Sequence, residues 1–395
     1  MQRRVSIAAL VAVVLLALAG TPQAQAAPAT ASRYIVTLST GMSYVAATAA
    51  RVLDAVGGGT VERTFTDALQ GFTVTLSPAA AAALAVVPGV AGIERDGVVT
   101  VDGTQSPTPS WGLDRIDQRN RPLTNTYTYP RTGAGVRAYI IDTGIRATHT
   151  DFGGRVVAGT NTVDANPSTT DCHGHGTHTA ATVGGATYGV AKGVTLVAVR
   201  VFACANTTTT SAIIAGVDWA AADHAAGVAA VANMSLGGGA STALDNSVRG
   251  LIADGVTVAI AAGNGNQLGM AVNSCTQSPA RVTQGITVGA TDSNDAKASW
   301  SNYGTCVDLH APGVSIVSAG IASDSASATM SGTSMAAPHV AGAAALYLEA
   351  NPGALPAAVQ TAITNASTKG IVTGTGGGLF GGSTPNNHLL YVGSL

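Results

Sequence analysis

Residues 228–263, VAAVANMSLGGGASTALDNSVRGLIADGVTVAIAAG, carry the pattern that decides the fold. VAAVANMSL (228–236) and VTVAIAAG (256–263) are short, nearly continuous apolar runs, as expected of strands covered on both faces. Between them, STALDNSVRGLIADG (241–255) spaces its apolar residues as a helix does. The same alternation fills the chain from Trp111 onward. VRAYII (136–141), VTLVAVRVF (194–202) and GITVGA (285–290) read as further strands. SAIIAGVDWAAADHAAG (211–227), SMAAPHVAGAAALYLEA (334–350) and ALPAAVQTAITNA (354–366) read as helices. Such alternation predicts an α/β fold, a doubly wound and mostly parallel sheet with its site at the carboxyl ends of the strands. GTGGGLFGGSTPNN (374–387) reads as loop and HLLYV (388–392) as a short last strand.

A second unit precedes this one. Over residues 33–101, strand-like SRYIVTL, helical SYVAATAARVLDAVG, strand-like TVERTF and GFTVTL, helical PAAAAALAVVPG and extended IERDGVVTV follow in turn. That is the split βαβ order of a small ferredoxin-like α+β domain. DGTQSPTPS (102–110) reads as an exposed, cleavable linker. Ahead of both, Arg3 and Arg4 precede an apolar run that ends before Ala24-Gln25-Ala26, so residues 1–26 read as a secretory signal peptide. About sixteen apolar residues fall short of the ~20 a membrane span requires. The mature protein is therefore expected to be secreted, extracellular and free of membrane.

With 10% charged residues and a net charge of −2, the chain has no basic surface for nucleic acid. In an oxidising compartment the even set Cys172, Cys204, Cys275 and Cys306 reads as two disulfides. Three pairings are possible, and the near-equal separations favour sequential bridges.

DCHGHGTHTA (171–180) admits three readings: a zinc site, a catalytic base, or a glycine loop without chemistry. A zinc-protease helix would read H-E-x-x-H, and no glutamate accompanies these histidines. A bridge from Cys172 to Cys204 would also remove the cysteine from any metal. As a base, His175 is flanked by Gly174 and Gly176, which leave the ring room to meet a nucleophile and substrate. His178 reads as structural and His173 as exposed. A base needs an acceptor for its Nδ1–H, and Asp142, ending the strand VRAYIID, is the candidate. Ser334 opens a long apolar helix. Serine there is also an ordinary N-cap, but Ser331 and Thr333 could take that role. The helix N-terminus favours a developing negative charge, and Pro338 near the first turn is tolerable. Asn264 in AAGNGN is a candidate oxyanion donor, or half of a common Asn-Gly turn.

IIDTGI, GHGTHTAAT, AAGNGN and SGTSMAAPH, in that order, resemble the subtilisin-like serine peptidases. WGLDRIDQR, VRVFACA, MSLGGG, SNYGTCVDLHAPG and LYLEANP are similar to the proteinase K and aqualysin branch. The likeness spans 104–395, with residues 111–395 as the catalytic domain, and the unit ending VAGIERDGVVTV resembles the family's inhibitory pro-domain. The resemblance implies Ser334 as nucleophile, His175 as base, Asp142 as its orienting acid and Asn264 as oxyanion donor. It implies that Ser235, Leu236 and Gly237 pair with the substrate main chain. Ala261, Ala262 and Gly263 would wall a roomy apolar first specificity pocket. It also implies structural calcium, held by Asp308 with the carbonyls of Thr283 and Gly285, and in some members by Asp114 and Asp117. The disulfides it implies are Cys172–Cys204 and Cys275–Cys306. His173, Ala337 and NTTTT (206–210) depart from the family pattern, the last where a substrate-facing edge strand is usual. The expected protein is a monomeric, secreted serine endopeptidase with broad, apolar or aromatic preference and no catalytic cofactor. It would be made as a zymogen, inhibited by its own pro-domain and cut near 102–106. The rivals are an inactive subtilase-like binding protein and a zinc hydrolase.

Overall fold

The computed structural model describes residues 31–39, 44–96, 103–376 and 382–395. The expected signal segment 1–26 lies outside them, as does the junction 97–102. The chain divides into two units, 1–98 and 99–395.

In the first unit, strands Ser32–Leu38, Val61–Phe65, Gly71–Leu76 and Val90–Arg95 alternate with helices Val45–Asp54 and Pro78–Leu84. The sheet is antiparallel, with Ser32–Leu38 paired to Gly71–Leu76 on one side and Val90–Arg95 on the other. Val61–Phe65 adds outside Gly71–Leu76, completing a ferredoxin-like order. Tyr34, Val36 and Leu38 alternate into the core, where Phe72, Val74, Leu53 and Leu84 meet them. Ser77 caps the second helix by accepting from Ala80 N, with Pro78 in its first turn.

In the second unit, seven strands run parallel: Leu309–Pro312, Ile286–Thr291, Thr257–Ala261, Ala230–Met234, Arg137–Asp142, Thr195–Arg200 and Val156–Asn161, in that spatial order. Two short strands, His388–Leu389 and the antiparallel Thr368–Lys369, extend the far edge. Because strands are pleated, alternate residues feed opposite layers. Ala138 and Ile140 enter one core, while Tyr139 and Ile141 enter the other. Helices His175–Gly184, Thr333–Ala350 and Pro356–Ala366 pack into the first core, and Thr210–Asp223 and Thr242–Ala253 into the second. From Thr195–Arg200 the chain crosses Arg137–Asp142 to Ala230–Met234. That reversal makes the carboxyl ends of these strands the crevice of a doubly wound sheet.

The expected linker is not free chain. Gly103–Gln105 pairs antiparallel with Tyr127–Tyr129, and the Gln105 side chain donates to Thr187 O and accepts from Lys192 Nζ. Ser110 is buried at the start of helix Trp111–Ile116. NTTTT forms no strand either. Asn206 takes φ 56°, and Thr209 caps the helix Thr210–Asp223 by accepting from Ala212 N.

Candidate active site

Asp142 is the last residue of its strand and is buried. Its Oδ1 accepts from Thr143 N and from His175 Nδ1, both at 2.7 Å, and its Oδ2 from Thr179 Oγ1 at 3.3 Å. His175 is the first residue of its helix, behind Gly174 at φ 105°. Its side chain keeps 21% of its surface open. Burial pulls the His175 pKa down, but the Asp142 charge and hydrogen bond, with the Asp171 charge behind them, outweigh it and hold the value above normal.

Of the two flanking glycines, Gly176 also serves a contact that the sequence did not show. A Cβ on Gly176 would fall inside the radius of Gly144 O and lie 3.0 Å from Thr143 Oγ1. The missing side chain thus seats the helix start on the Asp142 turn. Gly176→Ala should push the base off its acid. We expect kcat/KM on a peptide substrate to fall about 100-fold, the effect of an ångström-scale misplacement, with a lowered Tm.

Asp171, the one acid beside the histidines in the sequence, fastens the same junction, a role the sequence reading did not assign to it. It is buried, and it accepts from Thr143 Oγ1, His173 N, Gly174 N, Thr177 N and Thr177 Oγ1. The available signal was an acid four residues ahead of the histidine. His178 is fully buried on Ile316 O at 3.0 Å, and burial lowers its pKa to about 4. His173 is exposed.

Helix Thr333–Ala350 begins with Gly332 as N-cap and no capping side chain. Neither candidate cap acts as one. Ser331 Oγ accepts from Ser315 N, and Thr333 Oγ1 accepts from Gly263 N while donating to Asn264 Oδ1. Asn264 Oδ1 also accepts from Thr333 N at 2.8 Å, so its oxygen is tied down and its Nδ2 is left to serve another acceptor. Ser334 Oγ donates to Ser235 O at 3.2 Å. His175, Ser334, Asn264, Ser235, Leu236 and Gly237 line one cleft of about 610 Å³. Such a cleft pairs a hydroxyl, a carboxylate-backed imidazole and an amide donor, the groups that acyl transfer requires.

Residues 133–381 match the subtilase family. The chain is a subtilase. It is 52% identical over 319 residues to an extracellular serine proteinase of Thermus sp. (strain Rt41A), covering 81% of this chain and 76% of that protein. It is 48% identical over 336 residues to an alkaline serine exoprotease A of Vibrio alginolyticus, covering 84% of this chain and 60% of that protein. A crystal structure of a cold adapted subtilisin-like serine proteinase matches with TM-score 0.67 and 50% identity over 73% of this chain and 99% of that one. The subtilase is thus a serine peptidase.

A cavity of about 140 Å³, which shares Leu236, Gly237, Asn264 and Ser334 with the cleft, is lined by Ala261, Ala262 and Gly263. Gln277 and Ala280 also line it, which sequence reasoning did not find. Asn302 holds this wall: it donates to Ala262 O and accepts from Gly265 N and Val272 N. The cysteines of the subtilase pair as Cys172–Cys204 and Cys275–Cys306.

Two oxygen-rich places bear on calcium. Asp308 Oδ2 accepts from Thr287 N, while Thr283 O, Gly285 O and Asp308 Oδ1 all face Gln360 Nε2. Burial raises the Asp308 pKa to about 6, the cost of a carboxylate away from water. Asp114 is buried rather than solvated, and both its oxygens hold the turn at Thr124 and Asn125. Burial raises Asp117 to about 6, with the Asp114 charge adding to it. Asp117 Oδ1 and Gln118 Oε1 are buried without a hydrogen-bond partner, so they have lone pairs to offer a cation. Among the described residues, no group of three or more His, Cys, Asp and Glu comes together as a metal cluster. Among them, too, no helix is long and apolar enough to cross a membrane.

Proposed function

We propose that this subtilase is a secreted endopeptidase in which Ser334 attacks the scissile carbonyl carbon. The Oγ–H proton passes to His175 Nε2, and Asp142 stabilises the imidazolium that results. The carbonyl electrons go to the oxyanion, which accepts from Asn264 Nδ2 and the Ser334 backbone N–H. First-turn N–H groups have no partner within the helix. Collapse breaks the C–N bond, His175 gives its proton to the leaving amine, and water repeats the sequence on the acyl-enzyme. The observation that carries this reading is the 2.7 Å His175–Asp142 bond beside a cleft shared with Ser334 and Asn264.

Substrate adds as a strand along Ser235, Leu236 and Gly237, which gives affinity through main-chain bonds and tolerates varied sequences. The cavity walled by alanine and glycine takes an apolar or aromatic side chain. The unit at 33–101 is the inhibitory pro-domain. The cut falls ahead of Gly103, at the front of the expected 102–106 window, because Gly103–Gln105 is already bonded into the larger unit. Calcium, where bound, would be held by Asp308, Thr283 and Gly285, with Asp114 and Asp117 as a second set, and would pin their loops.

A serine-directed phosphonylating reagent should label Ser334 once per chain and abolish casein digestion, while a zinc chelator should not. The processed mass should begin at or before Gly103. Loss of activity to the chelator alone would overturn the serine mechanism. Asn264→Ala should lower kcat by about 10²–10³ with little change in KM, a magnitude taken from subtilisin, a member of this family.

A further inference from the structure

Gln360 stands on helix Pro356–Ala366. Its Nε2 lies 3.4 Å from Thr283 O, 3.3 Å from Gly285 O and 3.2 Å from Asp308 Oδ1. An amide nitrogen carries two hydrogens, so it cannot satisfy three acceptors at once. All three contacts are longer than the ~2.9–3.0 Å of a well-made N–H···O bond. Two carbonyls and a carboxylate converging on one point match the needs of a hard cation better than those of a directional donor. The carboxylate is fixed from behind by Thr287 N at 2.8 Å, and Gly285 N is bonded to Val282 O, so the oxygens keep their aim whatever stands before them.

We infer that Gln360 is a built-in competitor for the calcium place formed by Thr283, Gly285 and Asp308. The inference rests on the calcium reading proposed above. Without calcium, the amide puts its partial positive charge among the three oxygens and keeps them from facing one another unpaired. Calcium binds once the side chain swings aside. A half-buried residue on a surface helix can do this without moving the helix. The competition lowers apparent affinity by the fraction of time the place is open. The amide thus trades calcium affinity for calcium-free stability.

The test uses the full, self-processed protein blocked with a serine-directed phosphonylating reagent, so that autolysis does not enter. Tm and calorimetric calcium titrations are compared for wild type, Gln360→Ala, Gln360→Glu and Asp308→Asn. Gln360→Ala should bind calcium about 10-fold more tightly and melt lower in chelator, yet match wild type in saturating calcium. Gln360→Glu adds a carboxylate oxygen to the set and a like charge beside Asp308. It should melt lowest in chelator and gain most from calcium. If Asp308→Asn abolishes the calcium response but Gln360→Ala keeps the wild-type midpoint, or binds calcium more weakly as loss of a ligating Oε1 would make it, the calcium place stands and the competitor role is overturned. If Asp308→Asn and the Gln360 variants all respond as wild type does, the calcium place itself is wrong and the inference falls with it.

Discussion

Ser334→Ala should lower kcat about 10⁶-fold, the size found for the nucleophile of subtilisin, a member of the same family. On the proposed mechanism, the substitution removes the one atom that forms the covalent bond. It leaves the cleft, the Asn264 amide and the strand-pairing segment in place, so residual turnover above water comes from positioning and oxyanion binding alone. Stability should barely change, because among the described residues Oγ makes only the 3.2 Å bond to Ser235 O. If the first unit is the proposed pro-domain and is removed by the chain itself, the variant should also accumulate at full precursor mass, uncut ahead of Gly103. Intact mass and casein digestion, run beside wild type, decide the matter. A variant that processes and digests normally would mean that another residue is the nucleophile. A precursor that is cut but inert would assign the cut to a different protease.

Asp142→Asn should cost about 10⁴-fold in kcat, the size known for the same change in a serine protease triad of unrelated fold. Asparagine nearly matches the volume of the buried carboxylate but loses its charge. Two donors, Thr143 N and His175 Nδ1, now meet on Oδ1, and Thr179 Oγ1 donates to Oδ2. An amide can present only one oxygen to these partners. If its NH₂ faces the imidazole, the ring is held in the wrong tautomer. The pH profile supplies a second readout. In wild type, burial would depress His175, and the Asp142 charge is the largest influence opposing it. Catalysis needs the neutral ring, so kcat/KM should fall as pH drops through the raised pKa. Without the charge, burial prevails and the pKa drops, so the small residual activity of the variant should persist to lower pH than in wild type. An acid limb that stays where it was would show that Asp142 does not set the pKa of His175.

The sheet and its helices were legible because hydrophobic periodicity is local. A strand such as Arg137–Asp142, covered on both faces, is apolar from Ala138 through Ile141 without alternation, and an apolar helix beside it keeps its own spacing whatever lies opposite. Asp142, His175, Asn264 and Ser334 could be proposed for a related reason. Each sits at the end of a predicted strand or the start of a predicted helix, and in a parallel sheet those points share one edge. What the sequence by itself determined, then, is the alternation of elements and the family, and with them which residues to propose for the chemistry. Only the tertiary structure decided how that edge is held together. Gly176 is glycine because of the Gly144 carbonyl, and Asp171 matters because it spans the Asp142 turn and the His175 helix. The cavity is lined also by Gln277 and Ala280, and Gln360, 52 residues downstream of Asp308, reaches three oxygens. These contacts join residues far apart in the chain. Periodicity records which side of an element is buried, and it carries no record of what that side meets.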